Sequence, residues 1–479
     1  MPALQRSLKP TLWLVAVGLF MQMLDSTIVN TALPAMAGSL GESPLRMQSV
    51  VISYALTMAV LIPASGWLAD RFGTRRVFFA AIMLFTLGSA LCAASQTLPQ
   101  LVAARVVQGC GGAMLLPVGR LTLLRSFPRE QLLRAMSFVA VPAMVGPLVG
   151  PWLGGIIAEK ISWHWIFLIN LPVGAIAGAG TWYLLADRRE AEPRQFDLFG
   201  YFLLAFGMAA ISLSLDGLSG LSIERVFVVL LLVFGLASVV AYWIRASRHP
   251  APLFPLAVFH VHTFTVGLLG NLFARLGSGA MPYLLPLTLQ LSLGYSPSHA
   301  GMMMLAAASA SMLTKRLATS VIDHFGYRRV LVVNTLLVGA AMAAFSLVDP
   351  AHPVWLHVIF LAVFGAVNSL QFTAMNTLTL KDLDDQYASS GNSMLSMVQM
   401  LSMSMGVTVA AAILAGFTRY TGRGGATDPL PAFHSTFICV GLMTAASTWI
   451  FWQLSRDAAD SGRRASDKRP ADAGAVDVH

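Results

Sequence analysis

Runs of about 20 mostly apolar residues, separated by short charged or polar segments, follow one another along almost the whole chain. A helix of about 20 apolar residues can cross the ~30 Å hydrocarbon core of a bilayer, because each residue adds about 1.5 Å. The pattern therefore predicts an all-α polytopic membrane protein. Its fourteen predicted spans lie at about residues 11–33, 47–69, 76–95, 99–122, 135–157, 163–185, 197–215, 225–244, 264–289, 299–321, 329–348, 354–378, 389–416 and 433–454.

Composition favours a membrane protein and excludes a soluble one. Hydrophobic residues make up 56% of the 479 residues and charged residues 11%, whereas a soluble domain carries roughly 25% charged residues. The cysteines Cys92, Cys110 and Cys439 lie inside apolar runs, and the histidines show no metal-ligand spacing. We therefore expect no metal, no cofactor and no enzymatic activity, and the sequence contains no Walker A motif for ATP hydrolysis.

Lys and Arg residues are concentrated on one side of the predicted membrane topology. The loops and termini on the side of the N-terminus carry 21 of them, and the opposite side carries five. The positive-inside rule then predicts that both termini face the cytoplasm. This distribution also accounts for the formal net charge of +9, so no nucleic acid is needed as a partner. The polar tail at 456–479 is expected to be disordered.

One loop sequence occurs twice, after the second and the tenth predicted spans. An Asp, a Phe-Gly pair and an Arg-Arg pair recur with identical spacing, 253 residues apart. A glycine permits a tight turn between helices, and ion pairs at such a turn can stabilise one orientation of two helix bundles. We assign these loops to conformational gating, with a simple topological anchor as the alternative. The matched residues are Asp70, Gly73, Arg75 and Arg76 in the first copy and Asp323, Gly326, Arg328 and Arg329 in the second.

The length of this offset predicts how the chain is divided. Six spans with their loops fill about 190 residues, so the offset contains one repeat and about 60 further residues, which match the two middle spans. Many transporters consist of two related bundles. The predicted organisation is an N-terminal six-helix bundle at 1–190, two inserted helices at 191–250, a C-terminal six-helix bundle at 251–455, and the tail.

Four further stretches resemble the major facilitator superfamily, and specifically its fourteen-span drug:proton antiporter branch. They lie at residues 24–34, 105–112, 146–155 and 163–172. The resemblance implies the major facilitator fold with six, two and six helices, acting as a monomer that exports small molecules in exchange for protons across a bacterial inner membrane. It also ties Arg105 to proton coupling. The antiporter motif of the branch matches Gly146, Pro147, Gly150, Pro151, Gly154 and Gly155.

Six ionisable residues remain inside the predicted spans, and only one of them is acidic. Each costs about 2.5–3.5 kcal/mol on insertion scales, so each is a candidate functional group. A carboxyl group that alternates between dry and wet surroundings can bind and release a proton. Asp25 is therefore predicted to be the proton-coupling acid, with a purely structural role as the alternative. The six residues are Asp25, Arg105, Arg120, Arg275, Lys315 and Arg316.

The excess of basic groups predicts the charge of the substrate. An interior with five basic groups and one acid would repel a small cation, whereas an organic anion would find partners there. We predict an anionic or zwitterionic substrate bound by Arg275, then Arg120, with Gln399 as a further candidate. Two alternatives stay open. The protein could export lipophilic cationic drugs if Arg120, Lys315 and Arg316 extend to the cytoplasm, or it could be a membrane sensor with a transporter fold.

Overall fold

The computed structural model describes residues 2–187, 189, 195–218, 225–423 and 429–454, which form helices joined by short turns. The tail at 456–479, predicted to be disordered, lies outside the described residues. The helices are α1 (Pro2–Ile28), α2 (Leu33–Leu40), α3 (Gln48–Phe72), α4 (Thr74–Ala93), α5 (Leu98–Ser126), α6 (Arg129–Lys160), α7 (Trp165–Leu168), α8 (Asn170–Leu184), α9 (Leu198–Leu218), α10 (Arg225–Ala246), α11 (His262–Leu287), α12 (Pro297–Phe325), α13 (Tyr327–Ala344), α14 (Val354–Lys381), α15 (Asp385–Arg423), α16 (Leu430–Ala446) and α17 (Thr448–Trp452).

Twelve helical segments of the described residues are long and apolar enough to cross a membrane. Three of them join neighbouring helices, since α1 continues into α2, α7 into α8, and α16 into α17. The other two predicted spans coincide with α11 and α12, which have 26 and 29 residues and are not among these twelve. The prediction of an all-α membrane protein is confirmed, and the predicted span limits agree with the helices to within about two turns. The count of fourteen spans stays a prediction.

Helix packing in the first half of the chain recurs in the second half. In the first half α1 packs on α6, α3 and α4 pack on α5, and α8 packs on α4. In the second half α11 packs on α15, α12 and α13 pack on α14, and α16 packs on α13. The halves meet through α6 with α12 and through α3 with α15. The helices therefore form two related bundles, while the limits at residues 190, 250 and 455 stay a prediction.

The two copies of the repeated loop have the same backbone conformation. Gly73 joins α3 to α4 with φ 94° and ψ 145°, and Gly326 joins α12 to α13 with φ 77° and ψ 154°. Glycine adopts such a positive φ readily, whereas a Cβ atom makes it unfavourable. We call the end of the molecule that carries these turns the Gly73 end. The opposite end, where α6 finishes at Lys160, is called the Gly155 end.

The helices α9 and α10 lie beside the two bundles and pack on each other. In addition α9 contacts α3 and α15, and the hydroxyl oxygen of Ser212 lies 3.1 Å from that of Ser404 in α15. Many large apolar side chains of α10 are exposed, which is typical of a helix that faces lipid chains. The inserted pair thus contacts both bundles through α9, while Tyr242 of α10 accepts a hydrogen bond from the backbone of Phe254 before α11.

Candidate functional site

A cavity of about 940 Å³ lies between the two bundles. Its walls come from α1, α3, α5 and α6 of the first bundle and from α11, α12, α14 and α15 of the second. In the second bundle the lining residues extend from the middle of the helices toward the Gly73 end. No described side chain of α9 or α10 reaches the cavity. A volume of this size is typical of a pocket that encloses a small molecule.

The cavity wall carries basic groups and, among its described residues, no carboxylate. Four basic side chains line it, namely Arg105, Arg120, Arg275 and Lys315, whereas Arg316 is exposed outside the lining. Ionisable residues within a membrane helix are tolerated where they face a cavity that water can enter.

Arg275 lies in the middle of α11, with its guanidinium over the ring of Phe372. The Cζ atom lies 4.7 Å from the ring centroid, and Nε is buried without a hydrogen-bond partner in the described part of the chain. Within those same ranges no Asp or Glu forms an ion pair with Arg275, Arg120 or Lys315. Buried polar groups normally have partners, and Arg275 Nε is an exception among the described residues.

Asp25 and Arg105 form a buried ion pair beside the cavity. Arg105 Nη1 lies 2.6 Å from Asp25 Oδ2, and the exposed fractions of the two side chains are 2% for Arg105 and 0% for Asp25. Arg105 Nε also donates to the Val50 carbonyl oxygen at 3.3 Å, and the guanidinium lies over the ring of Tyr54. The sequence analysis named Asp25 and Arg105 for the same chemistry, and the fold brings them into direct contact.

Neutral polar groups complete the surroundings of this pair, and the sequence analysis did not identify them. Gln108 donates to Asp25 Oδ1 at 2.8 Å and accepts from Arg105 Nη1 at 2.6 Å. The hydroxyl oxygen of Ser89 accepts from Gln108 at 2.8 Å and from Asn170 at 3.2 Å. Gln108 follows Arg105 in the same motif by less than one helical turn, so the sequence alone could have placed Gln108 beside Arg105. Ser89 and Asn170 come from other helices, and only the fold places them here.

Gln399 lines the cavity as part of a network of side-chain amides. Its Nε2 donates to Asn376 Oδ1 at 2.7 Å and lies 3.5 Å from Asn271 Oδ1. Asn376 also lines the cavity, and the buried Asn271 donates to the Gly267 carbonyl oxygen. A molecule in the cavity would therefore meet Gln399 and Asn376 together.

The glycines of the stretch at 146–155 lie where α6 contacts other helices. A Cβ atom at Gly146, Gly150 or Gly154 would overlap α1 or the turn that follows it. These positions are four residues apart and share one face of the helix. Small residues there allow α6 to pack against the backbone of α1, which carries Asp25. Pro147 of the same stretch lines the cavity.

The two bundles touch at the Gly155 end. A Cβ atom at Gly155 would overlap the carbonyl oxygen of Pro297, and one at Gly301 would overlap that of Pro151. The carboxylate of Glu159 accepts a backbone hydrogen bond at 2.9 Å from the first turn of α12. Because α6 belongs to the first bundle and α12 to the second, these contacts hold the bundles together at this end.

Solvent reaches the cavity from the Gly73 end. Arg120 and Lys315 line the cavity and are nevertheless exposed. Both lie in the halves of α5 and α12 that lead toward the Gly73 end. The conformation is therefore open at the Gly73 end and closed at the Gly155 end.

We expect Gly155→Ala to destabilise the contact at the Gly155 end, because its methyl group would overlap the Pro297 carbonyl. Overpacking of a tight contact typically costs about 1–3 kcal/mol, which corresponds to a shift of roughly 5- to 150-fold in the population of this conformation. Spin-label distances across the Gly155 end should lengthen in the variant. Gly66→Ala is the matched control, since a Cβ atom there meets nothing within 4 Å. Equal distance distributions in the two variants would contradict the prediction.

The first copy of the repeated loop is held by charged and aromatic partners at the Gly73 end. Asp70 Oδ1 lies 2.6 Å from Arg125 Nη2 of α5. Arg76 Nε lies 3.5 Å from Asp187 Oδ2, which follows α8. The Arg75 guanidinium lies 5.4 Å from the centroid of an aromatic ring in α8. This loop therefore connects neighbouring helices of the first bundle.

The second copy has different partners. Arg328 Nη2 donates to the carbonyl oxygen of Trp452 at 3.1 Å. Asp323 and Arg329 are exposed, and within the described ranges neither forms an ion pair. The recurring sequence thus forms the same turn in both bundles, while the side-chain partners of the loop differ between them. The assignment of these residues to gating stays a prediction.

Two further buried acids among the described residues, Asp197 and Asp216, lie outside the cavity lining, and Asp197 pairs with Arg245 at 3.0 Å. Asp216 is 6% exposed near the end of α9 and accepts a hydrogen bond from Gln48 Nε2 at 2.8 Å. The expectation that Asp25 is the one acid inside the spans is wrong, because α9 continues to Leu218 and the apolar pattern ended it at 215. Since Asp216 does not line the cavity, the basic character of the cavity wall is unchanged.

The fold and the site define a class of protein, a helical membrane protein in which two related bundles enclose a central cavity for a small molecule. Residues 15–244 and 267–476 match the family model of the Major Facilitator Superfamily. The chain belongs to this superfamily. It is a multi-pass membrane protein of bacterial type with the fold of a small-molecule transporter.

Several bacterial proteins are similar over almost the full length. One from Serratia proteamaculans (strain 568) is 52% identical over 450 residues, which are 93% of each chain. One from Cronobacter sakazakii (strain ATCC BAA-894) is 49% identical over 471 residues, which are 98% of this chain and 100% of the relative. Both relatives carry the name "Putative multidrug resistance protein MdtD".

Solved structures share the fold at low sequence identity. The crystal structure of an auto-inhibited POT family peptide transporter has a TM-score of 0.73 at 16% identity, covering 94% of this chain and 97% of that one. The crystal structure of a D-xylose–proton symporter has a TM-score of 0.67 at 14% identity, covering 95% and 98%. These similarities show the arrangement of the helices.

Proposed function

We propose that the protein is a proton-coupled secondary transporter that exports small molecules, and that its substrates are organic anions or zwitterions. Superfamily membership and the names of the relatives, which describe multidrug resistance, support export. With both termini in the cytoplasm of a bacterial inner membrane, as the distribution of Lys and Arg predicts, the Gly73 end faces the cytoplasm. The open cavity would then be the loading conformation of a monomeric exporter.

The proposal for the substrate charge rests on the residues that line the cavity. Arg120, Arg275 and Lys315 line it without a carboxylate partner among the described residues. An anion that leaves water must find compensating charge or hydrogen-bond donors, and Arg275 offers a buried donor that has no protein partner in the described ranges. A cation that leaves water is usually paired with a carboxylate, and none of the described lining residues provides one.

Asp25 is proposed as the group that binds the proton. Protonation converts its ion pair with Arg105 into a neutral acid beside a cation, so the site gains one positive charge. An anion would bind at least as tightly to the protonated site, so the proton does not displace it by charge repulsion. Exchange therefore requires that the anion and the proton bind to different conformations of the protein. The packing of α6 on α1 and on α12 offers such a link, because it connects the helix of Asp25 to the contact at the Gly155 end.

Transport into proteoliposomes tests this proposal. Vesicles with an acidic interior would be supplied with one of three labelled probes: 2-naphthalenesulfonate, which is permanently anionic, neutral chloramphenicol, or cationic tetraphenylphosphonium. We expect the sulfonate to accumulate in a manner that a protonophore abolishes, and the cation to remain at the level of protein-free vesicles. Accumulation of the cation without the sulfonate would support export of cationic drugs instead. If none of the probes shows proton-dependent transport, the result would favour the alternative of a membrane sensor with a transporter fold.

A further inference from the structure

Two side-chain amides of the second bundle form a pair on the cavity wall. Gln399 Nε2 of α15 donates to Asn376 Oδ1 of α14 at 2.7 Å, and both residues line the cavity. Among the described residues, Asn376 Nδ2 and Gln399 Oε1 have no hydrogen-bond partner, and neither atom is buried. The pair therefore presents one donor and one acceptor to the cavity. This balance is the same if both amides are rotated by half a turn, because each then exchanges its role.

The positions of these residues along their helices place the pair one turn from Arg275. On α11, Arg275 follows Asn271 by four residues, which is about one helical turn of ~5.4 Å. On α14, Asn376 follows Phe372 by the same interval. The Arg275 guanidinium lies over the Phe372 ring, and Asn271 Oδ1 lies 3.5 Å from Gln399 Nε2. The positive charge and the amide pair therefore occupy successive levels of one wall.

The amide pair lies on the side of Arg275 that leads to the open end of the cavity. The helix α14 finishes at the Gly73 end, and α11 begins beside it, since Thr263 Oγ1 donates to Asp382 Oδ2 at 2.9 Å. Along α11 from that end, Asn271 comes before Arg275. A molecule that enters the open cavity therefore passes the amide pair before it reaches the charge.

Polar side chains of α1 on the facing wall offer less to such a molecule. Ser26 Oγ donates to the Met23 carbonyl oxygen at 2.8 Å, and Asn30 Nδ2 donates to the Ser26 carbonyl oxygen at 3.3 Å. Both side chains are thus bonded to the backbone of their own helix. Gln22 also lines the cavity, but only 2% of this residue is exposed.

We propose that the cavity selects organic anions that carry an amide-like group about one helical turn from the charged group. This inference rests on the proposed function, and it narrows the class of substrate. The anionic group binds at Arg275, while the N–H donor and the carbonyl acceptor of the ligand pair with Gln399 and Asn376. A ligand without the amide displaces water from the pair and returns no hydrogen bonds, which lowers its affinity.

Isothermal titration calorimetry with two sulfonates tests this inference on the purified protein. 4-Acetamidobenzenesulfonate carries an amide across the ring from its charge, and 4-isobutylbenzenesulfonate has nearly the same shape without a donor or acceptor there. Gln399→Met should weaken the binding of the acetamido ligand about tenfold, which corresponds to about 1.4 kcal/mol or about one hydrogen bond. The isobutyl ligand should bind to this variant and to the native protein with similar affinity.

Two further variants make the test decisive. Asn376→Leu removes the other amide and should cause the same selective loss, so the test does not depend on the folding of a single variant. Gln22→Met makes the same chemical change as Gln399→Met on the facing wall, and it should affect the two sulfonates alike. Equal changes for the two ligands in both Gln399→Met and Asn376→Leu, or a selective loss of the acetamido ligand in Gln22→Met, would overturn the inference.

Arg275→Gln separates this inference from the proposed function. Both ligands carry a sulfonate, so this variant should weaken their binding by a similar factor. If neither sulfonate binds to the native protein, or if Arg275→Gln leaves both affinities unchanged, the anionic substrate is rejected and the inference falls with it. If Arg275→Gln weakens both ligands and the amide variants do not distinguish them, the anionic substrate stands and the amide site is rejected.

Discussion

Asp25→Asn should abolish substrate accumulation driven by a proton gradient and leave anion binding intact. The amide keeps the size of the carboxylate and its one oxygen can still accept from Arg105, but its NH2 group cannot accept from Gln108 and it cannot exchange a proton. Because the variant retains the Arg105 charge without its counter-ion, a sulfonate probe should bind as tightly as to the native protein or more tightly. Accumulation in proteoliposomes and equilibrium binding in detergent measure the two effects separately.

The same variant distinguishes an anionic substrate from a cationic one. A lipophilic cation would bind more weakly to Asp25→Asn, since the site has gained a positive charge. Loss of one partner from a buried ion pair costs about 3–5 kcal/mol, so thermal unfolding should show a less stable protein. The double variant Asp25→Asn with Arg105→Gln restores neutrality and should recover part of that stability without recovering accumulation. Proton-driven accumulation by the single variant would leave Asp25 with a structural role.

Arg275→Gln is expected to weaken the binding of organic anions by roughly 10- to 100-fold. A hydrogen bond to a charged group contributes about 1.5–3 kcal/mol, and about 1.4 kcal/mol corresponds to a factor of ten in affinity. The glutamine can still donate one hydrogen bond from its amide, but it removes the charge and the contact with the Phe372 ring. Isothermal titration calorimetry of 2-naphthalenesulfonate with the purified native protein and variant measures the change in affinity.

Arg316→Gln is the matched control for this prediction. The substitution is chemically the same, but Arg316 is exposed and lies outside the cavity lining. Its affinity for the sulfonate should equal that of the native protein. Equal affinities of Arg275→Gln and Arg316→Gln for the sulfonate, together with robust transport of tetraphenylphosphonium, would contradict the anionic substrate and favour export of cationic drugs.

The fold could be predicted from the sequence because the bilayer restricts it so strongly. Apolar runs of spanning length define helices, and the repeated Asp-Phe-Gly-Arg-Arg loop indicates two related bundles. The structure shows the same turn conformation at Gly73 and Gly326. The end of α9 was predicted too early because the apolar pattern stops at a charged residue, whereas Asp216 is accommodated within the helix by Gln48.

The candidate site was predictable only where a single residue is conspicuous by itself. A charge within an apolar run is enough to identify Asp25, Arg105, Arg275 and Lys315 from the amino-acid sequence. The partners of these groups are ordinary polar and aromatic residues whose importance depends on a contact between helices. Ser89, for example, has no distinguishing sequence context, and its role appears only when α4 packs on α5.

If the cavity, whose described lining residues include no carboxylate, selects anions, the membrane potential also drives transport. If one proton enters for each monovalent anion that leaves, every cycle carries two positive charge equivalents inward. With the interior negative by 100 mV, each charge contributes about 2.3 kcal/mol, so a cycle gains about 4.6 kcal/mol before any pH difference is counted. That energy corresponds to a concentration ratio of roughly a thousandfold. Exchange of one monovalent cation for one proton moves no net charge and gains nothing from the voltage. Anion export would therefore continue at an alkaline external pH, where exchange of protons for cations stalls.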